Sequence, residues 1–232
     1  MGKPISLEWR PVPPGCVRSR VAVRWRPGPP EEIGPVLERA VQLSRLMLRL
    51  GQVFRVTLDA AGRPEADTTH TLTLALLAGE LADLEAVPLD REAVVSLALV
   101  HEFGEIYAGD TNTMQGLSPE AAEEKRQREE ESLLRVRREL DGSPWLLALL
   151  ERYEAQSCLE SRFVRFLDKV LPGLTHRDNG CQVQRAAGMT LEDLRERHRQ
   201  HGEDLERRFP EFPLVRALLA AVYLDSERSW TE

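Results

Sequence analysis

The sequence predicts an all-α fold, and three observations carry that expectation. From Ile33 onward apolar residues recur at helical spacing. Two Ser-Pro pairs, Ser118-Pro119 and Ser143-Pro144, open runs of the kind a helix start would open. Strand-like alternation is found in Ser19-Arg20-Val21-Ala22-Val23-Arg24-Trp25-Arg26, ahead of that region. With 232 residues and 42% hydrophobic content, the chain is long enough to bury one sizeable core, so one domain with a terminal addition is expected.

Residues 1–31 read as an N-terminal extension. Pro11, Pro13, Pro14, Pro27, Pro29 and Pro30 break any helix there, and the alternating stretch leaves room for one strand or hairpin. The helical domain is expected over 32–232. Its first amphipathic helix takes in Val36, Leu37, Ala40, Val41 and Leu43 and stops at Gly51. A loop containing Asp59, Gly62 and Pro64 follows. Asp67 or Thr68 then caps a helix running through His70 to about Leu84. After a turn at Pro88 to Asp90, Asp90 caps the helix that carries His101. Ser118 is the N-cap, and Pro119 the first residue, of a charged helix that is glutamate-rich over Glu120 to Glu131. Ser143-Pro144 starts a long helix expected to reach Lys169 and to end before Pro172. Helices over about 190–208 and 212–226 close the chain; their apolar stripes suit either core packing or a homodimer.

The formal charge of −7 argues against a nucleic-acid surface built on bulk charge. Arg195, Arg197 and Arg199, interleaved with Glu192 and Glu196, read as a solvated helix face. Phosphorylated small molecules stay open, because a few local arginines suffice for them. Cys16, Cys158 and Cys181 are odd in number and contain no CxxC pair, which fits a reducing compartment and gives no zinc knuckle. No apolar run approaches 18 residues and no signal-peptide core follows Met1, so a soluble cytoplasmic protein is expected.

The chemistry concentrates in Val100-His101-Glu102-Phe103-Gly104-Glu105, with Asp110 close behind. Buried carboxylates are costly unless paired or metal-bound, and this set directly follows an apolar run. His70 sits among Leu72, Leu74 and Leu76, and Asp168 among Phe163, Val164, Phe166, Leu167 and Val170. Taken singly, each is a plausible core histidine or buried hydrogen-bonding carboxylate. Together, His and carboxylate groups suit one borderline-to-hard divalent ion such as Mn²⁺, Co²⁺, Fe²⁺, Ni²⁺, Zn²⁺ or Mg²⁺.

The order His, then His-acid, then Asp on successive helices resembles the HD-domain metal-dependent phosphohydrolases, and within them the small 5′-deoxynucleotidase-like branch. The stretches that carry the resemblance are Arg63 to His70, Leu97 to Glu105, Gly109-Asp110-Thr111, Lys125-Arg126 through Glu131, and Tyr153-Glu154-Ala155 through Lys169, within about residues 43–180. The resemblance implies that His70, His101, Glu102 and Asp168 are metal ligands. It implies that Arg55 grips the substrate phosphate, a task suited to a permanent charge with a planar fork. Glu105 would then pass a proton to the leaving alkoxide, and Asp110 would orient water or sugar. The expected activity is hydrolysis of a nucleotide phosphate ester, deoxynucleoside monophosphate to deoxynucleoside plus phosphate. His176, in the polar segment Thr175 to Gly180, is a candidate to line the pocket.

Two departures from the family pattern stand out. Glu102 replaces the usual Asp, and its extra methylene moves the carboxylate by about 1.5 Å when extended. Val56 follows Arg55 where some relatives carry an aromatic. Two rival readings therefore stay open. One is a degenerate HD fold that binds nucleotide or a protein partner without turnover. The other is a MazG-like nucleoside-triphosphate pyrophosphohydrolase, using the pairs Glu80/Asp83 and Glu102/Glu105 to hold Mg²⁺.

Overall fold

The computed structural model describes residues 30–111 and 116–230. Leu37–Glu232 forms one compact unit, to which the packing below refers. The strand or hairpin expected over 19–26 lies outside the described residues. The elements in order are α1 (Pro30–Leu50), β1 (Phe54–Leu58), β2 (Pro64–Ala66), α2 (Asp67–Ala82), α3 (Arg91–Ala98), α4 (Glu105–Ala108), α5 (Pro119–Glu139), α6 (Pro144–Ala155), α7 (Leu159–Asp178), α8 (Gln182–Ala186), α9 (Leu191–Arg208) and α10 (Pro213–Trp230). The fold is all-α apart from the small two-stranded sheet. No helix among the described residues is long and apolar enough to cross a membrane.

Helix α7 is the central element. Phe163, Phe166, Leu167, Val170 and Leu171 fall at the spacing of a single apolar stripe and are all buried. Phe166 stacks on Phe209 at 5.1 Å, and Phe163 meets Phe212 edge-on at 5.3 Å. Helices α2, α3 and α10 pack on α7, and α9 on α10. Leu194, Leu205, Val215, Leu219 and Val222 are buried, so much of the apolar surface of the last two helices goes into the core. Helices α2 and α3 meet closely at Gly79, where an added Cβ would lie 2.9 Å from Val95 Cγ2. We therefore expect Gly79→Val to destabilise the fold by about 1–3 kcal/mol through overpacking. A urea unfolding midpoint equal to that of the wild type would show that this contact gives way freely.

Local start signals act as the sequence suggests at two helices. Asp90 accepts a hydrogen bond from the Ala93 amide at 3.1 Å, and Ser118 from Ala121 at 3.2 Å. Elsewhere the structure corrects the sequence reading. The expected loop after α1 is a β-hairpin, with Phe54 opposite Ala66 and Leu58 opposite Pro64. Asp59 closes its turn by accepting from the amides of Ala61 and Arg63, both at 2.9 Å. Helix α2 has no side-chain cap: Ala66 holds the cap position and Asp67 is the first helical residue, its carboxylate directed to Arg55. The expected single helix from Pro144 to Lys169 is two, because Gln156 adopts a left-handed conformation (φ 48°) that ends α6. Pro172 does not stop α7, which runs on to Asp178 with the proline inside it. Helix α3 ends at Ala98, so His101 is not on it.

Candidate metal centre and its cavity

His101 and Glu102 lie in a run of turns rather than on a helix. The amides of Val100, Phe103 and Glu105 bond three residues back, to Leu97, Val100 and Glu102, at 2.9–3.2 Å. On an α-helix neighbours point about 100° apart; this turn lets two consecutive side chains reach one place. His101 Nδ1 pairs with the Ala98 carbonyl at 2.7 Å, an arrangement in which Nδ1–H donates and Nε2 is left to face inward. Nε2 then stands 3.1 Å from Glu102 Oε1 and 3.7 Å from Asp168 Oδ1. His70, fully buried on α2, places its Nε2 3.0 Å from Asp168 Oδ1 and 3.8 Å from Glu102 Oε1. Behind it, Glu65 Oε2 lies 3.8 Å from His70 Nδ1.

The four ligand atoms lie within 4.8 Å of one another. Ligands held about 2.0–2.2 Å from a common ion are about 3.0–3.6 Å apart, close to the spacing seen here. His101 Nε2 is buried with no hydrogen-bond partner among the described atoms, although two carboxylate oxygens face it. That meeting of lone pairs calls for a cation. Burial depresses the His101 imidazole, but Glu102 and Asp168 outweigh it and lift the ring to about 10, so without an ion a proton fills the role. The donor set and its orphaned nitrogen fit one divalent ion. The extra methylene of Glu102 does not carry the carboxylate away: Oε1 still reaches both imidazoles.

Cations balance the carboxylates. Arg55, delivered by β1, places Nη1 2.6 Å from Glu102 Oε1 and 3.5 Å from Asp67 Oδ1. Lys169 Nζ lies 2.9 Å from Asp168 Oδ2. Burial acts to raise both ligand carboxyls, yet His101 holds Glu102, and Lys169 with the two histidines holds Asp168, below the ordinary range. Glu105 behaves oppositely. Burial, reinforced by Glu102 and Asp67, lifts its carboxyl to about 9, and burial with Glu102 lifts Asp67 to about 7.

The cluster opens on a cavity of about 440 Å³. His101, Glu102, Asp168, Arg55, Glu105 and Asp110 line it, together with Lys125, Arg126, Arg137, Tyr153, Arg165 and Lys169. Asp110 is brought back to it by Gly109, whose φ of 73° favours glycine. Sequence reasoning gave Asp67 only a possible helix-capping role and Arg165 none. Arg165 lies one turn before Asp168, with its Cζ 4.8 Å from the centre of the Tyr153 ring, and Tyr153 meets His101 edge-on. The i, i+3 spacing of Arg165 and Asp168 was the available signal, since it puts both on one helix face. His176 is not brought to this cavity. The uninterrupted α7 carries it eight residues, about 12 Å along the axis, beyond Asp168, where it lines a different cavity.

The sequence matches the model of the HD domain over residues 47–210. The chain belongs to the HD-domain family. Among its HD relatives are two curated proteins named 5′-deoxynucleotidase HDDC2. The human protein is 35% identical over 130 residues, covering 55% of this chain and 58% of that protein; the bovine one is 34% identical with the same coverage. The match thus spans under two thirds of those relatives' length. A crystal structure named as a predicted metal-dependent phosphohydrolase, from Magnetospirillum magnetotacticum MS-1, superposes with a TM-score of 0.65 at 24% identity over 84% of this chain and 93% of that one, which establishes the shared fold. The HD resemblance read from the sequence is borne out. The MazG-like alternative loses its footing: Glu80 and Asp83 are exposed, and Asp83 is paired with Arg91.

Proposed function

We propose that this protein is a metal-dependent phosphohydrolase acting on a nucleotide phosphate ester, with a deoxynucleoside 5′-monophosphate as its substrate. The observation that carries this reading is the buried His70–His101–Glu102–Asp168 cluster, open to a cavity that also presents Lys125, Arg126, Arg137 and Arg165. Such cations suit phosphate oxygens. The 5′-deoxynucleotidase relatives support the choice of sugar and of a single phosphate. The free Cys158 and Cys181 support a reducing, cytoplasmic setting.

When bound, a divalent ion supplies Lewis acidity toward a phosphoryl oxygen and lowers the pKa of water. His70, His101, Glu102 and Asp168 hold it. Arg55 steadies Glu102 through Nη1 and lines the cavity, where the part of its guanidinium that is exposed can meet phosphate. Arg165 offers a second guanidinium, held over Tyr153. Glu105, whose carboxyl is raised by burial and by the negative charges of Glu102 and Asp67, lines the cavity and would give its proton to the leaving oxygen. Asp110 orients water or sugar.

The test is phosphate release from nucleoside mono-, di- and triphosphates with Mn²⁺, Co²⁺, Mg²⁺ or chelator, on wild type and His101→Ala. Metal-dependent release from deoxynucleoside monophosphates, lost in the variant, is the expected result. No release from folded, metal-loaded protein would favour binding without turnover. Arg165→Met should lower kcat/KM by roughly 10–100-fold, mainly through KM, as the loss of one charge-assisted phosphate contact predicts. Its metal content should equal that of the wild type; an unchanged KM would remove Arg165 from the substrate site.

A further inference from the structure

A ligating imidazole uses one ring nitrogen and leaves the other in need of a partner. His101 meets that need locally, through Nδ1 and the Ala98 carbonyl at 2.7 Å. His70 has no such contact. Its ring is fully buried, and its Nδ1 has no hydrogen-bond partner among the described atoms. Facing it, 3.8 Å away, is Glu65 Oε2, an atom that is likewise buried without a partner among the described atoms. The separation exceeds a hydrogen bond by about 0.6 Å. It is also too short for a water, which holds the two groups it bridges about 4.5 Å apart. Two complementary groups thus face each other directly, in a place where an unmade hydrogen bond is costly.

Glu65 is held there by the hairpin. It stands on β2, which pairs antiparallel with β1. Just past the end of α7, Asn179 Nδ2 donates to the Leu58 carbonyl at 2.6 Å and ties β1 down. The same hairpin therefore delivers Arg55 to Glu102 and Glu65 to the back of His70. The place of the proton on His70 then matters, because a neutral imidazole carries one N–H and one lone pair. Nε2 stands 3.0 Å from Asp168 Oδ1 and 3.8 Å from Glu102 Oε1. A proton on Nε2 is drawn to Asp168 and removes the lone pair that a metal needs. A proton on Nδ1 frees Nε2, and Glu65 is the acceptor that favours this tautomer. Both tautomers are neutral, so the choice is one of orientation and not of charge.

We propose that Glu65 is a positioning residue of the metal centre: its carboxylate accepts from His70 Nδ1–H and so turns Nε2 toward the ion as a ligand. The proposal rests on His70 being a ligand and is independent of the substrate. The test measures Zn²⁺ affinity of the full-length protein at neutral pH, by competition with a chromophoric chelator, for wild type, Glu65→Leu, Glu65→Gln and His70→Ala. Glu65→Leu should weaken Zn²⁺ binding by about 10–100-fold. Glu65→Gln, whose amide oxygen still accepts, should weaken it less. Long-range ¹H–¹⁵N spectra of the Zn²⁺-loaded wild type should place the His70 proton on Nδ1, shifted downfield by the carboxylate. Glu65→Leu should lose that downfield shift, while His101 Nδ1–H, bonded to Ala98, keeps its position. Should Glu65→Leu fail to fold, Glu65→Gln carries the test through the same resonance, which moves upfield as a neutral acceptor replaces a charged one. Wild-type affinity with an unmoved His70 resonance would overturn the proposal and leave the metal reading intact. An equal change at His101 would also overturn it, by assigning Glu65 to the fold as a whole. Zn²⁺ uptake that His70→Ala leaves at the wild-type level would overturn the metal reading itself, and the proposal with it.

Discussion

Replacing Asp168 with alanine should abolish divalent-ion uptake and lower phosphate release by on the order of 10³-fold. Asp168 is the hinge of the cluster: Oδ1 serves both imidazoles, at 3.0 and 3.7 Å, and Oδ2 is paired with Lys169 at 2.9 Å. Its removal takes one ligand of four and leaves an unopposed ammonium beside the remaining three. The Lewis acidity lost with the ion is worth several kcal/mol, and about 4 kcal/mol corresponds to ~10³ in rate. A measurement without turnover separates this from a folding defect. Ion at 100 times its Kd should stabilise the wild type by about 2.7 kcal/mol, raising Tm by roughly 5–10 °C for a chain of this size. The variant should show no such rise. Wild-type ion uptake by Asp168→Ala would mean that the centre lies elsewhere, for example at Asp67, Glu102 and Glu105, whose carboxylates also come together.

How much of this was legible in the sequence depended on how local the cause was. The caps at Asp90 and Ser118 are contacts within three residues, and both are present as read. The end of α6 is not local in that sense. Gln156 carries no signal for a left-handed residue, and continuous apolar spacing on both sides hid the break. Pro172 misled in the other direction. A proline removes the bond to the carbonyl four residues back, here that of Asp168, but the dense packing of α7 carries the helix through. The cluster of His70, His101, Glu102 and Asp168 was legible only as a set, since each alone reads as a core histidine or a buried hydrogen-bonding carboxylate, and the resemblance supplied their order. Arg55 was reached by resemblance, and the hairpin that delivers it was read as loop. Asp67 read as a possible helix cap and Arg165 as an ordinary helix charge, since only the tertiary fold shows that Asp67 is sealed against Arg55 and that Arg165 faces the cavity.

Glu105→Gln should lower kcat by about 10²–10⁴-fold, the usual range for losing a positioned proton donor, while leaving ion content at the wild-type level. Glu105 begins α4 on the cavity wall, and its Oε2 is buried with no partner among the described atoms. Burial first, then the negative charges of Glu102 and Asp67, lifts its carboxyl to about 9. The sign follows directly. A general acid works while protonated, so its contribution is full below its pKa and is lost as pH rises through it. The wild-type rate should therefore show an alkaline limb, displaced below about 9 because a bound divalent ion adds positive charge nearby. Glutamine matches the shape of the protonated carboxyl but has no proton to give. The variant should keep substrate affinity, lose most of kcat, and lose that alkaline limb over the range where wild-type activity falls. A substrate whose leaving group departs without a proton, such as p-nitrophenyl phosphate with its weakly basic phenolate, should be hydrolysed almost as fast by Glu105→Gln as by the wild type. An equal loss on both substrates would assign Glu105 to holding the site together rather than to proton transfer.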